Sequence, residues 1–182
     1  MGYVAPALTS AMQIPRSVLG PVISSGLVGM MIGAMVSGPL ADRFGRRPVL
    51  IGCVLIFGVG SLLTATAQSI EALVAFRALT GLGMGGAMPN AIALTSEYMP
   101  RRRRGTAVTT MICGFSLGAA VGGFVAAAII PRFGWQAVFV VGGVAPLLIA
   151  VGAFFWLPDS IRFLLVKGGS DEQARSYLAR IA

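Results

Sequence analysis

The sequence has little charge and no histidine. Only 11% of its 182 residues are charged, whereas 56% are hydrophobic. A soluble domain carries about 25% charged residues, so this composition cannot form a solvated surface and indicates a chain embedded in lipid. The lack of histidine excludes Ser-His catalytic triads, histidine acid–base catalysis and most zinc sites.

Cysteine is also scarce. Cys53 and Cys113 lie 60 residues apart in apolar segments and form no CxxC pair. Small buried packing residues explain them better than a redox or metal site. Because no cluster of catalytic or ligating side chains is present, the sequence predicts no enzyme, no metal site and no cofactor.

Five long stretches with almost no charge follow one another along the chain. Each exceeds the about 20 residues that a helix needs to cross ~30 Å of hydrocarbon, and none alternates as a barrel strand does. Arg77 is the one Asp, Glu, Lys or Arg residue within them. The pattern predicts an all-α, polytopic membrane helix bundle with spans at 17–41, 49–70, 72–96, 105–131 and 133–158.

The two ends of the chain differ from these spans. Residues 1–8 are apolar but reach at most ~12 Å as a helix. We interpret them as the remnant of a truncated first transmembrane helix. Residues 159–182 are predicted to form a cytoplasmic linker, with a flexible joint at Gly168-Gly169 and a short amphipathic helix capped by Ser170.

Basic residues predict the orientation. Eleven of them fall in connections on one side of the predicted membrane and two, Arg16 and Arg132, on the other. The positive-inside rule makes the first side cytoplasmic, and the C-terminus with it, in a multi-pass protein of the cell (inner) membrane. The net charge of +8 is thereby explained by topology, so no nucleic-acid partner is expected. The eleven are Arg43, Arg46, Arg47, Arg101, Arg102, Arg103, Arg104, Arg162, Lys167, Arg175 and Arg180.

The turn after the first complete span reads GPLADRFGRR. Gly45 permits a tight turn, and the basic residues suit the lipid headgroup level. Asp42 can pair with the arginines or stabilise the N-terminus of a neighbouring helix. An ordinary positive-inside loop would explain the arginines, but not an acid flanked by Gly38 and Gly45.

These residues resemble the signature loop between the second and third helices of major facilitator superfamily transporters. Three later segments resemble other motifs of that superfamily in the same order. They are Arg77 with Gly81 and Gly83 (RxxxGxG), Glu97 with Pro100, Arg104 and Gly105 (ExxPxxxRG), and LPDSIRFLL at 157–165. The resemblance implies the N-terminal six-helix half of a major facilitator fold, with the first helix truncated.

The stretch RALTGLGMGGAMPNAIALTSEY, residues 77–98, narrows the resemblance to the aromatic acid:proton symporters, which import benzoate-type acids such as 4-hydroxybenzoate. This implies proton-coupled uptake by alternating access, with a small aromatic acid anion, a proton, the lipid bilayer and the missing C-terminal half as partners. It also implies a cytoplasmic gate built from Gly38, Asp42, Arg43, Gly45, Arg46, Arg47, Glu97 and Arg104.

Arg77 is the predicted substrate-binding residue. An arginine near mid-span costs ~2.5–3.5 kcal/mol on insertion scales, which is tolerated where the guanidinium meets a wet cavity or a partner. Its planar fork suits a carboxylate. The alternative is a structural arginine held by backbone carbonyl groups. Asn90, which follows Pro89, is a second candidate contact, although a proline kink with local packing explains it as well.

Glycines four residues apart predict close helix contacts. Gly29 and Gly33 form one pair, Gly81 and Gly85 a second, and Gly114, Gly118 and Gly122 a third group. Gly81, Gly83 and Gly86 also match GxGxxG, but without a preceding strand this match to the dinucleotide fingerprint is accidental.

Two other functions stay open at this point. Proton coupling needs a titratable group in the pathway, yet the five spans contain no Asp or Glu. We therefore expect that this chain alone does not catalyse coupled transport, and it could be an inert or structural membrane fragment of a truncated transporter gene. A major facilitator carrier of another organic anion or a sugar is the other alternative.

The orientation is testable by cysteine labelling. In a chain with Cys53→Ala and Cys113→Ala, an impermeant maleimide added to intact cells should label the Arg132→Cys variant and leave the Arg102→Cys variant unlabelled until the cells are opened. The reverse pattern would contradict the predicted topology.

Overall fold

The structure, a computed structural model, describes Leu8 and residues 19–157. This part of the chain contains four helices and no strand. Each of the four is long and apolar enough to cross a membrane, by length and composition. The predicted all-α helix bundle is thereby confirmed. The helices are α1 (Leu19–Phe44), α2 (Arg46–Ala65), α3 (Ile70–Tyr98) and α4 (Arg104–Trp156).

Helix α4 contains two of the predicted spans. Its 53 residues are divided by a break at Gly134. Gly134 has φ 77° and ψ 176°, a conformation that favours glycine. The break separates an N-terminal arm, 104–133, from a C-terminal arm, 135–156. We expected the division at residue 132, next to Pro131. It falls at Gly134 instead, because the positive φ interrupts the helix whereas Pro131 lies inside it.

The connection between α2 and α3 also differs from the expected limits. Helix α2 ends at Ala65, five residues before the predicted limit of 70, and α3 begins at Ile70. The Ser69 hydroxyl caps α3 by accepting a hydrogen bond from the backbone N–H of Ala72 at 3.2 Å, and Glu71 adds an acid to the first turn. The Ser69 cap sets the start of α3, whereas the apolar character of the sequence continues across the connection and does not mark a boundary.

Helix α3 packs closely on α1 through glycines. A Cβ added to any of four glycines would overlap a backbone carbonyl oxygen of the facing helix, so the two backbones are in direct contact. These glycines are Gly29 and Gly33 of α1 and Gly81 and Gly85 of α3.

A second glycine face of α3 meets α2. A Cβ at Gly83 would overlap the backbone of Phe57, and one at Gly86 would lie 2.5 Å from the Cys53 sulfur. Farther along α2, Gly58 meets the C-terminal arm of α4, where a Cβ on Gly58 would come within 3.1 Å of the Gly143 carbonyl oxygen. Helix α3 is therefore held between α1 and α2.

The third group of spaced glycines behaves differently. A Cβ on Gly114, Gly118 or Gly122 would meet no atom within 4 Å among the described residues. The neighbouring Leu117 and Phe124 are 67% and 79% exposed. The described residues therefore provide no close contact for these glycines. Four-residue spacing tells which residues share a helix face, but it does not tell what that face meets.

A hydrophobic cluster closes the bundle at the end where α2 and α3 connect. Its buried members come from α1, the α2–α3 connection, α3 and the C-terminal arm of α4, together with Leu8, which is 1% exposed. The other residues of the predicted segment 1–8 and all of the predicted linker 159–182 lie outside the described residues. The cluster consists of Leu8, Val22, Ala67, Leu73, Trp135 and Phe139.

A pair of alanine substitutions tests the central position of α3. Gly85→Ala places a methyl group against the backbone of α1 and is expected to lower the free energy of unfolding by roughly 1–3 kcal/mol. Gly52→Ala is the matched control, since its Cβ meets nothing within 4 Å, and it should be neutral or stabilising by up to about 1 kcal/mol. Thermal unfolding in detergent measures both, and equal melting temperatures would contradict this packing.

Candidate functional site

Arg77 lies on α3, seven residues from the start of the helix at Ile70. At 1.5 Å per residue this is about 10 Å along the axis. The arginine is therefore in the quarter of α3 next to the α2–α3 connection, not near mid-span as expected. The predicted span 72–96 also has Arg77 close to its start, only five residues in, so the helix boundary is not the cause of the difference.

The guanidinium of Arg77 stacks on an aromatic ring. Its Cζ atom lies 4.5 Å from the centroid of the Phe139 ring, which belongs to the C-terminal arm of α4. Phe139 is 7% exposed and packs edge-to-face with Trp135, with the centroids 5.8 Å apart. A cation over a ring in a water-poor setting gains about 2 kcal/mol. This contact offsets much of the cost of placing the arginine among apolar helices.

The hydrogen bonds of Arg77 are not complete. Its Nε–H is buried and has no acceptor among the described residues. A buried donor without an acceptor costs about 1–3 kcal/mol. The described part of the chain also gives Arg77 no carboxylate within ion-pair distance. The guanidinium therefore has hydrogen-bonding capacity left for an acceptor, and a carboxylate matches its planar fork.

Asn90 is placed differently. It is 4% exposed, and its side-chain amide donates a 2.8 Å hydrogen bond to the Gly86 carbonyl one turn earlier in α3. An amide occupied in this way within a helix favours local packing next to Pro89 over contact with a ligand. The substrate-binding role that we expected for Asn90 is not favoured by this geometry.

An ion pair joins the start of α2 to the end of α3, at the end of these helices that lies away from the α2–α3 connection. Arg46 Nη1 lies 3.2 Å from Glu97 Oε1, and the two side chains are 21% and 15% exposed. Arg46 is the first residue of α2 and Glu97 is in the last turn of α3. The structure thus brings together two of the eight residues expected in the gate. Asp42, another of the eight, is exposed in the last turn of α1, and no ion pair forms at it among the described residues.

Gly45 makes the turn of this motif in a single residue. It lies between Phe44 and Arg46 with φ 96°, a conformation that favours glycine, and its N–H donates to the Ala41 carbonyl at 2.9 Å. Gly38 has a different environment, since a Cβ there would meet nothing within 4 Å of the described residues.

Other arginines at the end of the bundle that holds the Arg46–Glu97 pair contact carbonyl groups and aromatic rings. Arg47 donates to the Phe154 carbonyl near the end of α4, and its Cζ lies 6.0 Å from the Phe154 ring centroid. Arg104 Nε donates to the Met99 carbonyl at 3.1 Å, and Arg43 lies over the ring of Phe44. The end of α4 is therefore at the same end of the bundle as these arginines.

Possible metal ligands do not cluster in the described residues. No three Cys, Asp or Glu side chains come together there as a group that could hold a metal ion. The chemistry available in this part of the chain is that of an arginine in an aromatic, apolar setting.

The motif loop and the partly buried Arg77 agree with the comparison with protein families. A family model described as the Major Facilitator Superfamily matches residues 1–179. The chain belongs to the major facilitator superfamily. Among solved structures, the xylose transporter XylE of E. coli in a partially occluded inward-open conformation superposes on 98% of this chain with a TM-score of 0.76 at 25% identity. The chain covers 48% of XylE, about half of a major facilitator fold.

Curated relatives in the superfamily are named as aromatic acid transporters. The 4-hydroxybenzoate transporter PcaK of Pseudomonas putida is 52% identical over all 182 residues, and the chain covers 41% of it. The gallate transporter of Pseudomonas putida is 41% identical over 181 residues, with 40% of it covered. The chain thus spans about two fifths of the length of these relatives, in their N-terminal half.

Double-mutant analysis tests the ion pair. Glu97→Gln and Arg46→Gln should each destabilise the bundle by about 1 kcal/mol, and the double variant should lose no more than either single one, because both changes remove the same partly exposed pair. Melting temperatures measure the coupling.

Asp42→Asn is the control, since Asp42 forms no ion pair in the described residues. Additive losses at Arg46 and Glu97 would show that the pair does not contribute.

Proposed function

We propose that this chain forms the N-terminal helix bundle of a secondary transporter that carries small aromatic carboxylate anions, taken up together with protons. Its single strongest support is Arg77, an arginine among apolar helices that stacks on Phe139 and has hydrogen-bonding capacity left. The relatives named for 4-hydroxybenzoate and gallate supply the substrate class.

Charge favours an anion over a sugar. A neutral sugar would leave the positive charge of Arg77 uncompensated, whereas a carboxylate would neutralise it and accept its N–H groups. The aromatic ring of the substrate would suit the apolar walls of the bundle. The structural likeness to a xylose transporter supports the fold and gives no comparable reason for a sugar at this position.

Proton coupling needs a group that this part of the chain does not supply. Asp42, Glu71 and Glu97 are the acids among the described residues, and each lies near a helix end. We place the titratable group in the rest of the transporter, which includes its C-terminal half. The partners of this bundle are then the substrate anion, the proton, the lipid bilayer and that second half.

The ion pair between Arg46 and Glu97 is proposed as part of the cytoplasmic gate. It joins α2 to α3 at the arginine-rich end of the bundle. If the protein lies in the cell (inner) membrane, the positive-inside rule assigns this end, and the C-terminus with it, to the cytoplasmic side. Alternating access moves the two halves of such a transporter against each other about a site near the membrane centre. The other residues expected in the gate would change their contacts as the two halves move. They are Gly38, Asp42, Arg43, Gly45, Arg47 and Arg104.

Uptake by a joined transporter tests the proposal. This chain, fused to the C-terminal part of the Pseudomonas putida 4-hydroxybenzoate transporter, should take up radiolabelled 4-hydroxybenzoate in a proton-dependent manner. Arg77→Ala should lower kcat/KM by about 10- to 100-fold, the effect of losing hydrogen bonds to a charged group.

Arg102→Ala is the matched control, because Arg102 is an exposed arginine between α3 and α4, at the opposite end of α3 from Arg77. Uptake that is unchanged in the Arg77→Ala protein would contradict the substrate role. Uptake of xylose in preference to 4-hydroxybenzoate would contradict the aromatic acid assignment.

A further inference from the structure

The Phe139 ring is held in place from several sides. The Ser61 hydroxyl of α2 donates a 3.0 Å hydrogen bond to the Phe139 carbonyl, and Ser61 is 5% exposed. Trp135, one turn earlier on α4, packs edge-to-face against the ring and is 5% exposed. One turn later, Gly143 brings the α4 backbone against Gly58 of α2. The ring therefore has a fixed position relative to α2.

The ring fixes Arg77 without using its hydrogen-bond donors. A carboxylate partner would hold a guanidinium by accepting its N–H groups, which are the groups that a substrate carboxylate needs. An aromatic face attracts the cation through its quadrupole and leaves the N–H edges available. Among the described residues, Arg77 has the ring and no carboxylate partner.

We infer that Phe139 is a positioning residue for substrate recognition: its ring orients the Arg77 guanidinium toward the carboxylate of the transported acid. This inference rests on the proposed function. Phe139 acts through Arg77 and not on the substrate, because its own ring is buried between Arg77 and Trp135. The aromatic substrate ring is therefore recognised elsewhere in the transporter.

Fluorination of Phe139 tests the inference with little change of shape. In the joined transporter, mono-, di- and trifluorophenylalanine at position 139 weaken the ring quadrupole step by step. The KM for 4-hydroxybenzoate should rise with each step, to about 5- to 30-fold in total, while kcat changes by less than about twofold. Phe139→Tyr, which keeps the aromatic face, should retain the original KM, and Phe139→Leu should raise it as trifluorination does.

Phe155 provides the matched control. It also lies in the C-terminal arm of α4 and in an edge-to-face pair, with Phe154 at 5.5 Å, but at the other end of that arm. Fluorination there should leave KM unchanged. A KM that does not respond to fluorination of Phe139, in a transporter that takes up 4-hydroxybenzoate, would overturn the positioning role alone. No uptake by the unsubstituted joined transporter would instead contradict the proposed function.

Discussion

Direct backbone contact along α3 is the constraint on which the rest of the structure depends. Two faces of this helix carry glycines, so α1 approaches at Gly81 and Gly85, and α2 approaches at Gly83 and Gly86. Without a strong hydrophobic driving force between helices in lipid, such close packing supplies much of their association. The rotation of α3 in the bundle is thereby fixed, and the direction of Arg77 with it.

That fixed rotation gives the arginine its unusual surroundings. A charge among apolar helices needs a partner, and the described residues offer Arg77 the ring of Phe139 and not an acid. The cation–π contact makes the charge tolerable but leaves donor groups to be satisfied. The remaining donors support the proposed role of Arg77 in binding an anion. At the other end of α3, the ion pair between Arg46 and Glu97 joins this helix to α2.

Much of this arrangement could be predicted from the sequence, and the failures have physical causes. Arg77 stands out because one arginine interrupts an apolar stretch, which is visible without a structure. Its partner Phe139 could not be found in this way, since hydropathy counts an aromatic residue as apolar and does not tell which helix it faces. The exposed face of Gly118 shows the same limit for small residues. The connection between α2 and α3 was not visible in hydropathy, because local hydrogen bonds at Thr66 end α2 and the Ser69 cap begins α3.

Competition by a neutral analogue tests whether Arg77 recognises the charge of the substrate. 4-Hydroxybenzamide has nearly the shape of 4-hydroxybenzoate but no negative charge. We expect the amide to inhibit uptake of labelled 4-hydroxybenzoate by the joined transporter at least about 10-fold more weakly than the unlabelled acid does. Arg77→Gln should remove most of this preference. Equal inhibition by the acid and the amide, with Arg77 intact, would show that Arg77 does not recognise the charge of the substrate.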